Sequence, residues 1–383
     1  MINIHDKTKC CGCSSCLQAC PKQCIKFIID EQGFEYPIVD RSSCINCNIC
    51  VKVCPELNLK SSRKPKFCFA SISKNHLVRQ QSSSGGLFTL IAEKVLLNNG
   101  IVFGAAFNSD WGVEHICVDK IEDLYLLRGS KYVQSKIGNT YQRVISFLKQ
   151  GRTVLFTGTS CQIAGLKQFL RVEYDNLLTV DLVCHGVPSP MLWKTYLEYI
   201  THKHTSTESL DTIEKISFRD KRKGWKRFSV SIVWKNGHRL NQVLTNNLYL
   251  DCFLKNLTLR PSCSQCIAKD GRSGSDISLA DYWGISKISR RMDDDKGTSL
   301  VLVYTEKGQI LIESLDAIVL ETSYHDAFNC NRSIEESTVF NRRTNEFWKI
   351  YQHKGWIGVE ALMKDLRPNV MLRIKNYIYR KLF

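Results

Sequence analysis

Eighteen cysteines in 383 residues are more thiols than packing alone explains, and their spacing is the first pointer to chemistry. In "CCGCSSCLQACP", Cys10, Cys13, Cys16 and Cys20 precede Pro21 as C-x2-C-x2-C-x3-C-P. "CINCNICVKVCP" repeats the run with Cys44, Cys47, Cys50, Cys54 and Pro55, every member displaced by 34 positions. Three closely spaced sulfurs surround one corner of an iron–sulfur cube, and the fourth is thrown to the other side of the loop. The spacing therefore assigns Cys10, Cys13, Cys16 and Cys54 to one 4Fe–4S cluster. A second takes Cys44, Cys47, Cys50 and Cys20. Structural zinc more often uses two C-x2-C hooks across a longer gap. Cys11 and Cys24 fall outside the pattern and read as small packing residues.

Four further cysteines stand at the ends of expected elements. Cys161 lies at a strand-to-helix turn in "FTGTSCQIAG", and Cys184 follows a buried strand in "DLVCHGVPSP". Cys263 and Cys266 form C-x2-C in "RPSCSQC". Loops leaving strands are where ligand sites gather. On spacing alone three readings stay open: a third cluster, a nucleophile at Cys161 with His185 as its base, or simple burial.

The elements that must position these residues come in two textures. The "IKFIIDEQGFEYPIVD" segment between the two cysteine runs reads as strand, turn and strand. This front unit has little apolar core, so its folding depends on metal. "ELNLKSSRKPKFCFAS" reads as a linker or an outer strand. From about residue 80 helices alternate with apolar strands: "GGLFTLIAEKVLLNNG", "IVFGAAF", "IGNTYQRVISFLKQG", "RTVLFTG", "CQIAGLKQFL" and "NLLTVDLVCHG". Beyond residue 213 strands dominate, in "FSVSIVWKNG", "SDISLADYWG" and "TSLVLVYTEKGQ". The pattern predicts an α+β protein: a small two-cluster ferredoxin-like domain, then a mixed α/β domain with an antiparallel portion. Expected boundaries are 1–60 for the front domain, 61–80 for a linker, 81–335 for the main domain and 336–383 for a C-terminal helical segment. That segment ends in "PNVMLRIKNYIYRKLF", a basic amphipathic stretch suited to packing on the protein, a partner or a membrane surface.

The front segment resembles bacterial two-cluster ferredoxins. "GTSCQIAGLKQFL", "DLVCHGVPSP", "CSQC" and "SDISLADYWG" come in the order seen in the coenzyme F(420) hydrogenase/dehydrogenase beta subunit family. Relatives there include the electron-input subunit of F(420)H2 dehydrogenases and plant hydroxymethyl-chlorophyll reductase. The resemblance covers roughly residues 80 to 325. It implies FAD beside a 4Fe–4S cluster held by Cys161, Cys184, Cys263 and Cys266, and therefore a flavin-dependent iron–sulfur oxidoreductase with three clusters. Ser160 departs from the proline frequent in the family, which removes no ligand. The resemblance also points to Ser83, Ser84, Gly85 and Gly86 in "QSSSGGLFTL", Lys131 in "GSKYVQS", and Thr157, Gly158 and Thr159 as flavin contacts. Serine and glycine before a helix suit a pyrophosphate, though they are also ordinary capping chemistry.

Charge and missing motifs limit the alternatives. Three clusters at roughly −2 each would bring the formal charge of +16 to about +10. The basic excess fits an acidic small molecule or coenzyme, or an acidic one-electron carrier such as ferredoxin or a partner redox subunit. "FRDKRKGWKRF" carries six Lys or Arg and reads either as a solvated turn or as a cationic lip over the flavin. With Trp225 as its one interleaved indole it makes a poor nucleic-acid groove, and no P-loop or G-x-G-x-x-G fingerprint is present. No stretch reaches the apolar length of a membrane span, leaving peripheral contact at most. The start lacks a secretory pattern, so a cytoplasmic protein is expected. The competing function is an electron-relay subunit of a larger redox complex without its own substrate. In bacterial relatives such chemistry is often associated with polysaccharide biosynthesis.

Overall fold

The computed structural model describes residues 1–366; "PNVMLRIKNYIYRKLF" lies outside the described residues. The chain is α+β. Its front hairpin pairs Ile25–Ile29 with Glu35–Val39, turning through Gly33 in a left-handed conformation. The short helices Ser15–Ala19 and Ile49–Lys52 carry the third cysteine of each run, Cys16 and Cys50. The apolar core of this unit is small: Ile2 and Ile25 lie buried among Cys16, Cys24 and Cys50.

The body is built on an eight-stranded mixed sheet. Four parallel neighbours, Ile101–Phe107, Val154–Thr159, Leu177–Leu182 and Ile277–Asp281, form its centre. Their apolar runs are continuous because helices cover both faces. Val113–Val118 adds an antiparallel edge beside Ile101–Phe107. On the other side Ser299–Val303, Phe67–Ser73 and Ala317–Thr322 follow, all antiparallel. The helices Leu87–Leu97, Thr140–Lys149 and Ser160–Leu170 arise where the sequence switches to helical periodicity. A separate antiparallel sheet joins Ile213–Asp220, Ser229–Trp234 and Arg239–Val243. It packs Trp234 and Phe218 against the helix Pro190–Thr205 and the final described helix, Thr344–Asp365, which kinks at Gly355.

One expectation needs correction. Residues 61–80 are not a linker throughout, because Phe67–Ser73 is paired on both sides within the large sheet. The basic residues and Pro65 ahead of it suggested an open segment. The buried positions Cys68, Ala70 and Ile72 alternate as a strand requires. His76–Gln81 then forms a helix capped by Asn75.

Candidate metal centres

Each cysteine run folds into a loop that reverses hand twice. Gly12 and Ser14 adopt positive φ (71° and 65°), and Asn46 and Asn48, 34 positions on, do the same (51° and 57°). Such alternation turns successive backbone N–H groups inward, a concavity that suits an anionic cluster. Three thiol-lined cavities result. Site one, of about 330 Å³, is lined by Cys10, Cys13, Cys16 and Cys54, with Cys11 at its wall. Site two, of about 340 Å³, gathers Cys44, Cys47, Cys50 and Cys20, with Cys24 beside them. In both, the last cysteine of a run joins the other run's three.

Site three, of about 500 Å³, is lined by Cys161, Cys184, Cys263 and Cys266. Cys161 is set on the first turn of Ser160–Leu170, whose start is fixed by a capping box between Thr159 and Gln162. Ser160 donates to the Leu182 carbonyl at 3.2 Å, tying the ends of two parallel strands together. Cys184 follows Leu177–Leu182, and both therefore sit beyond carboxyl ends of parallel strands, where ligands collect. Gly186 (φ +146°) passes so close to Leu259 that a Cβ would lie 2.9 Å from its side chain. The thiols ring open space rather than a point: among the described residues no three His, Cys, Asp or Glu side chains gather closely enough for a single ion. A cube of iron and sulfide needs that wider spacing.

The catalytic-thiol alternative lacks its geometry. Cys161 has Thr159 Oγ1 at 3.2 Å as its hydrogen-bond partner. The His185 Nε2 donates instead to Asn256 Oδ1 at 2.6 Å.

Cys11 is more than packing. Its sulfur is within hydrogen-bond reach of Cys13 and of Cys161, and these contacts together with burial push its thiol well up. The same contact draws Cys13 down to about 7. One thiol thus spans the wall between sites one and three. Arg260 and Lys269, also lining site three, are buried cations that spacing did not single out. Arg260 directly precedes the "PSCSQC" hook, a local signal that could have drawn notice.

The front unit is joined to the body by many hydrogen bonds. Tyr141 N and Gln142 N donate to Gln18 Oε1, Ser15 Oγ to the Gly165 carbonyl, and Gln134 Nε2 to the Cys11 carbonyl. Gly165 permits the approach: a Cβ there would stand 2.7 Å from Cys13 Cβ.

The candidate flavin residues lie in neighbouring loops. Ser130 donates through both its N–H and its hydroxyl to Ser83 Oγ, and Ser84 Oγ donates to the Thr298 carbonyl. Gly85 backs onto the sheet, where a Cβ would be 2.4 Å from the Ser71 carbonyl oxygen. Gly86 (φ +97°) starts the Leu87–Leu97 helix without a side-chain cap, leaving its first N–H groups for another acceptor. Lys131 Nζ donates to the Leu127, Arg128 and Gly129 carbonyls, and burial lowers it to about 7. Thr157 Oγ1 donates to the Phe103 carbonyl. The Thr157 carbonyl accepts from His115 Nε2, and Thr159 leads into site three.

The basic hairpin is part solvated and part anchored: Arg222, Lys223, Lys226 and Arg227 are exposed, while Arg219 and Lys221 turn inward. Arg219 is buried and paired with Asp281, and it donates to the Ser83 carbonyl. Lys221 donates to the Arg79, Ser84 and Lys296 carbonyls, while Trp225 stacks on Trp283 with ring centroids 4.4 Å apart. Arg219 and Lys221 brace the Ser83–Ser84 loop through its carbonyls, while Arg222 pairs with Asp220 of its own hairpin and Lys226 with Asp293.

Known proteins share both parts of this chain. Residues 151–327 match the family model for the carboxy-terminal part of the coenzyme F(420) hydrogenase/dehydrogenase beta subunit. Residues 9–57 match a 4Fe–4S dicluster domain. Among solved structures, a chain of the F(420)-reducing NiFe hydrogenase complex from Methanosarcina barkeri is similar at 16% identity and a TM-score of 0.46, covering 76% of this chain and 94% of that one. No curated protein matches the sequence.

Proposed function

We propose that this chain, an iron–sulfur electron-transfer protein of the coenzyme F(420) hydrogenase/dehydrogenase beta subunit family with a 4Fe–4S dicluster domain at its front, is a flavin-dependent oxidoreductase with three clusters. When bound, the clusters supply one-electron transfer and the FAD exchanges electron pairs with single electrons. The observation that carries the reading is the third cavity, with four cysteines from three separate segments around it. The chain's own part is to hold and shield. Four thiols in each cavity serve as ligands, and the left-handed positions at Gly12, Ser14, Asn46 and Asn48 suit loops whose backbone N–H groups offset negative charge.

For the flavin, the uncapped start of Leu87–Leu97 beside Arg219 and Lys221 suits a pyrophosphate. Ser83, Ser84, Gly85 and Gly86 form that approach, Thr159 lines site three, and Lys131, Thr157 and Gly158 complete the flavin contacts of this reading. Site two faces outward. Cys47 is exposed, Lys22 lines the cavity, and Lys26, Arg41 and Lys52 are exposed nearby in sequence. That rim fits an acidic one-electron carrier.

One observation favours the relay subunit without its own substrate: Ser83, Ser84 and Lys131 are already paired with protein groups. Anaerobic purification with iron, acid-labile sulfide and extracted-flavin counts decides between the two. About twelve iron and one FAD per chain support the oxidoreductase. About eight iron and no flavin make the protein a ferredoxin fused to a docking domain and sink the proposal.

A further inference from the structure

Arg260 is 1% exposed, and its guanidinium sits where the front unit meets the body. Its Nε donates to the Cys10 carbonyl at 2.7 Å and its Nη2 to the Glu35 carbonyl at 2.8 Å. Nη1 donates to Gln134 Oε1 at 3.1 Å, and Nη2 lies 3.7 Å from Cys10 Sγ. The plane is held over the Tyr36 ring, 4.4 Å from its centroid. Gly12 leaves it room, since a Cβ there would stand 2.9 Å from Nη1. From its own backbone Arg260 reaches site three: its carbonyl accepts from Cys263 N, and it lines that cavity.

None of these partners is anionic unless the Cys10 sulfur is a thiolate. A buried cation without a counter-charge is costly, and its charge and hydrogen bonds are the kind that arginine directs at a fixed geometry. Glu56 lines the same cavity but is not among its hydrogen-bond partners. The three other Lys or Arg side chains lining the cavities are placed differently, and Lys9 beside site one is exposed. Lys269 donates to the Cys184 and Ser333 carbonyls on the body side, and Lys22 beside site two is exposed.

We propose that Arg260 is the shared counter-charge of sites one and three, a positioning residue that raises the reduction potentials of both clusters and leaves site two alone. The proposal rests on reading the two cavities as cluster sites. Net charge, hydrogen bonds to sulfur and solvent exposure set cluster potentials. A fixed positive charge favours the reduced, more negative state, and in a buried setting it is weakly screened.

The test is an anaerobic redox titration of the full chain followed by electron paramagnetic resonance, with iron counted on every sample. In Arg260→Gln two of the three midpoints should fall, each lowering the reduced-to-oxidised ratio at fixed potential about tenfold, about 59 mV for a one-electron couple. The third should stay in place, and Arg260→Lys should recover most of the shift. Gln134→Glu puts a carboxylate against the same guanidinium without removing it, and should lower the same two midpoints. It keeps the proposal testable if Arg260→Gln does not fold. Unchanged midpoints with full iron overturn the role of Arg260, as does an upward shift, which is what water entry alone would produce. A wild-type count of about eight iron overturns instead the three-cluster reading on which it stands.

Discussion

The two cysteine runs have the same spacing and the same left-handed backbone positions, yet one is built into the molecule and the other faces out of it. Around site one, Cys13 and Cys16 are buried, Gly165 presses against Cys13, and Cys11 and Arg260 connect to site three. Around site two, Cys47 is exposed and Ile45 is 57% exposed. A repeat in sequence thus supplies two equivalent candidate ligand sets, and the surroundings decide which is exposed and which is interior. The difference teaches that cluster chemistry is local to the loop, whereas access is set by what packs against it.

Replacing ligands should break this equivalence most strongly. Cys263→Ala and Cys47→Ala should each cost about four iron per chain. Only Cys263→Ala should also lower the thermal midpoint of the body, because site three ties together three separated segments of it. Equal melting temperatures with equal iron loss would mean that site three does not brace the fold.

Acid should act on the interior. Burial holds His115 neutral, down to about 4 from its ordinary 6.5. Its Nε2–H donates to the Thr157 carbonyl while Ser135 Oγ donates to Nδ1. The unfolded chain therefore binds more protons between these values. The stability is fully present above about pH 6.5 and falls as pH drops toward 4, by about 3 kcal/mol across the window. Denaturation midpoints measured from pH 7 to pH 4 should show this loss in the wild type, and His115→Gln should flatten it. An equally steep profile in the variant would assign the acid sensitivity elsewhere.

The smallest effect is the sharpest comparison of the two copies. Asn46→Gly relieves a left-handed non-glycine residue and should stabilise by a few tenths to about 1 kcal/mol. The reverse change at the equivalent position, Gly12→Asn, keeps a tolerable φ but drives a Cβ to 2.8 Å from Gln134 Nε2 and 2.9 Å from Arg260 Nη1. It should destabilise by about 1–3 kcal/mol. Urea denaturation of the two variants checks it, and similar small shifts would show that the seam yields.

Much of this was legible in one dimension. Ligand spacing repeats over a distance short enough to be set by the local backbone, so the two crosswise thiol groups follow from residue positions. The strand Ile101–Phe107 coincides with the apolar run "IVFGAAF", because continuous burial in a parallel sheet leaves that signature. Phe67–Ser73 was harder to read, since the basic residues before it mask a strand whose pairing partners lie more than two hundred positions away. Within the basic hairpin the solvated residues Arg222, Lys223, Lys226 and Arg227 hide, for a related reason, that Arg219 and Lys221 meet a carboxylate and carbonyls of other loops.

By itself, then, the sequence determined the candidate ligand types, the duplicated loop, the order of elements and the resemblance to a known family. The spacing left Cys161, Cys184, Cys263 and Cys266 unconnected, and only the resemblance grouped them before the structure put them round one cavity. Tertiary structure alone decided that Cys11 stands between two sites and that Arg260 is buried against both. Ligand sets are written by near-neighbour spacing. Shared walls and buried charges exist only where distant segments meet, and no spacing along the chain encodes which segments those are.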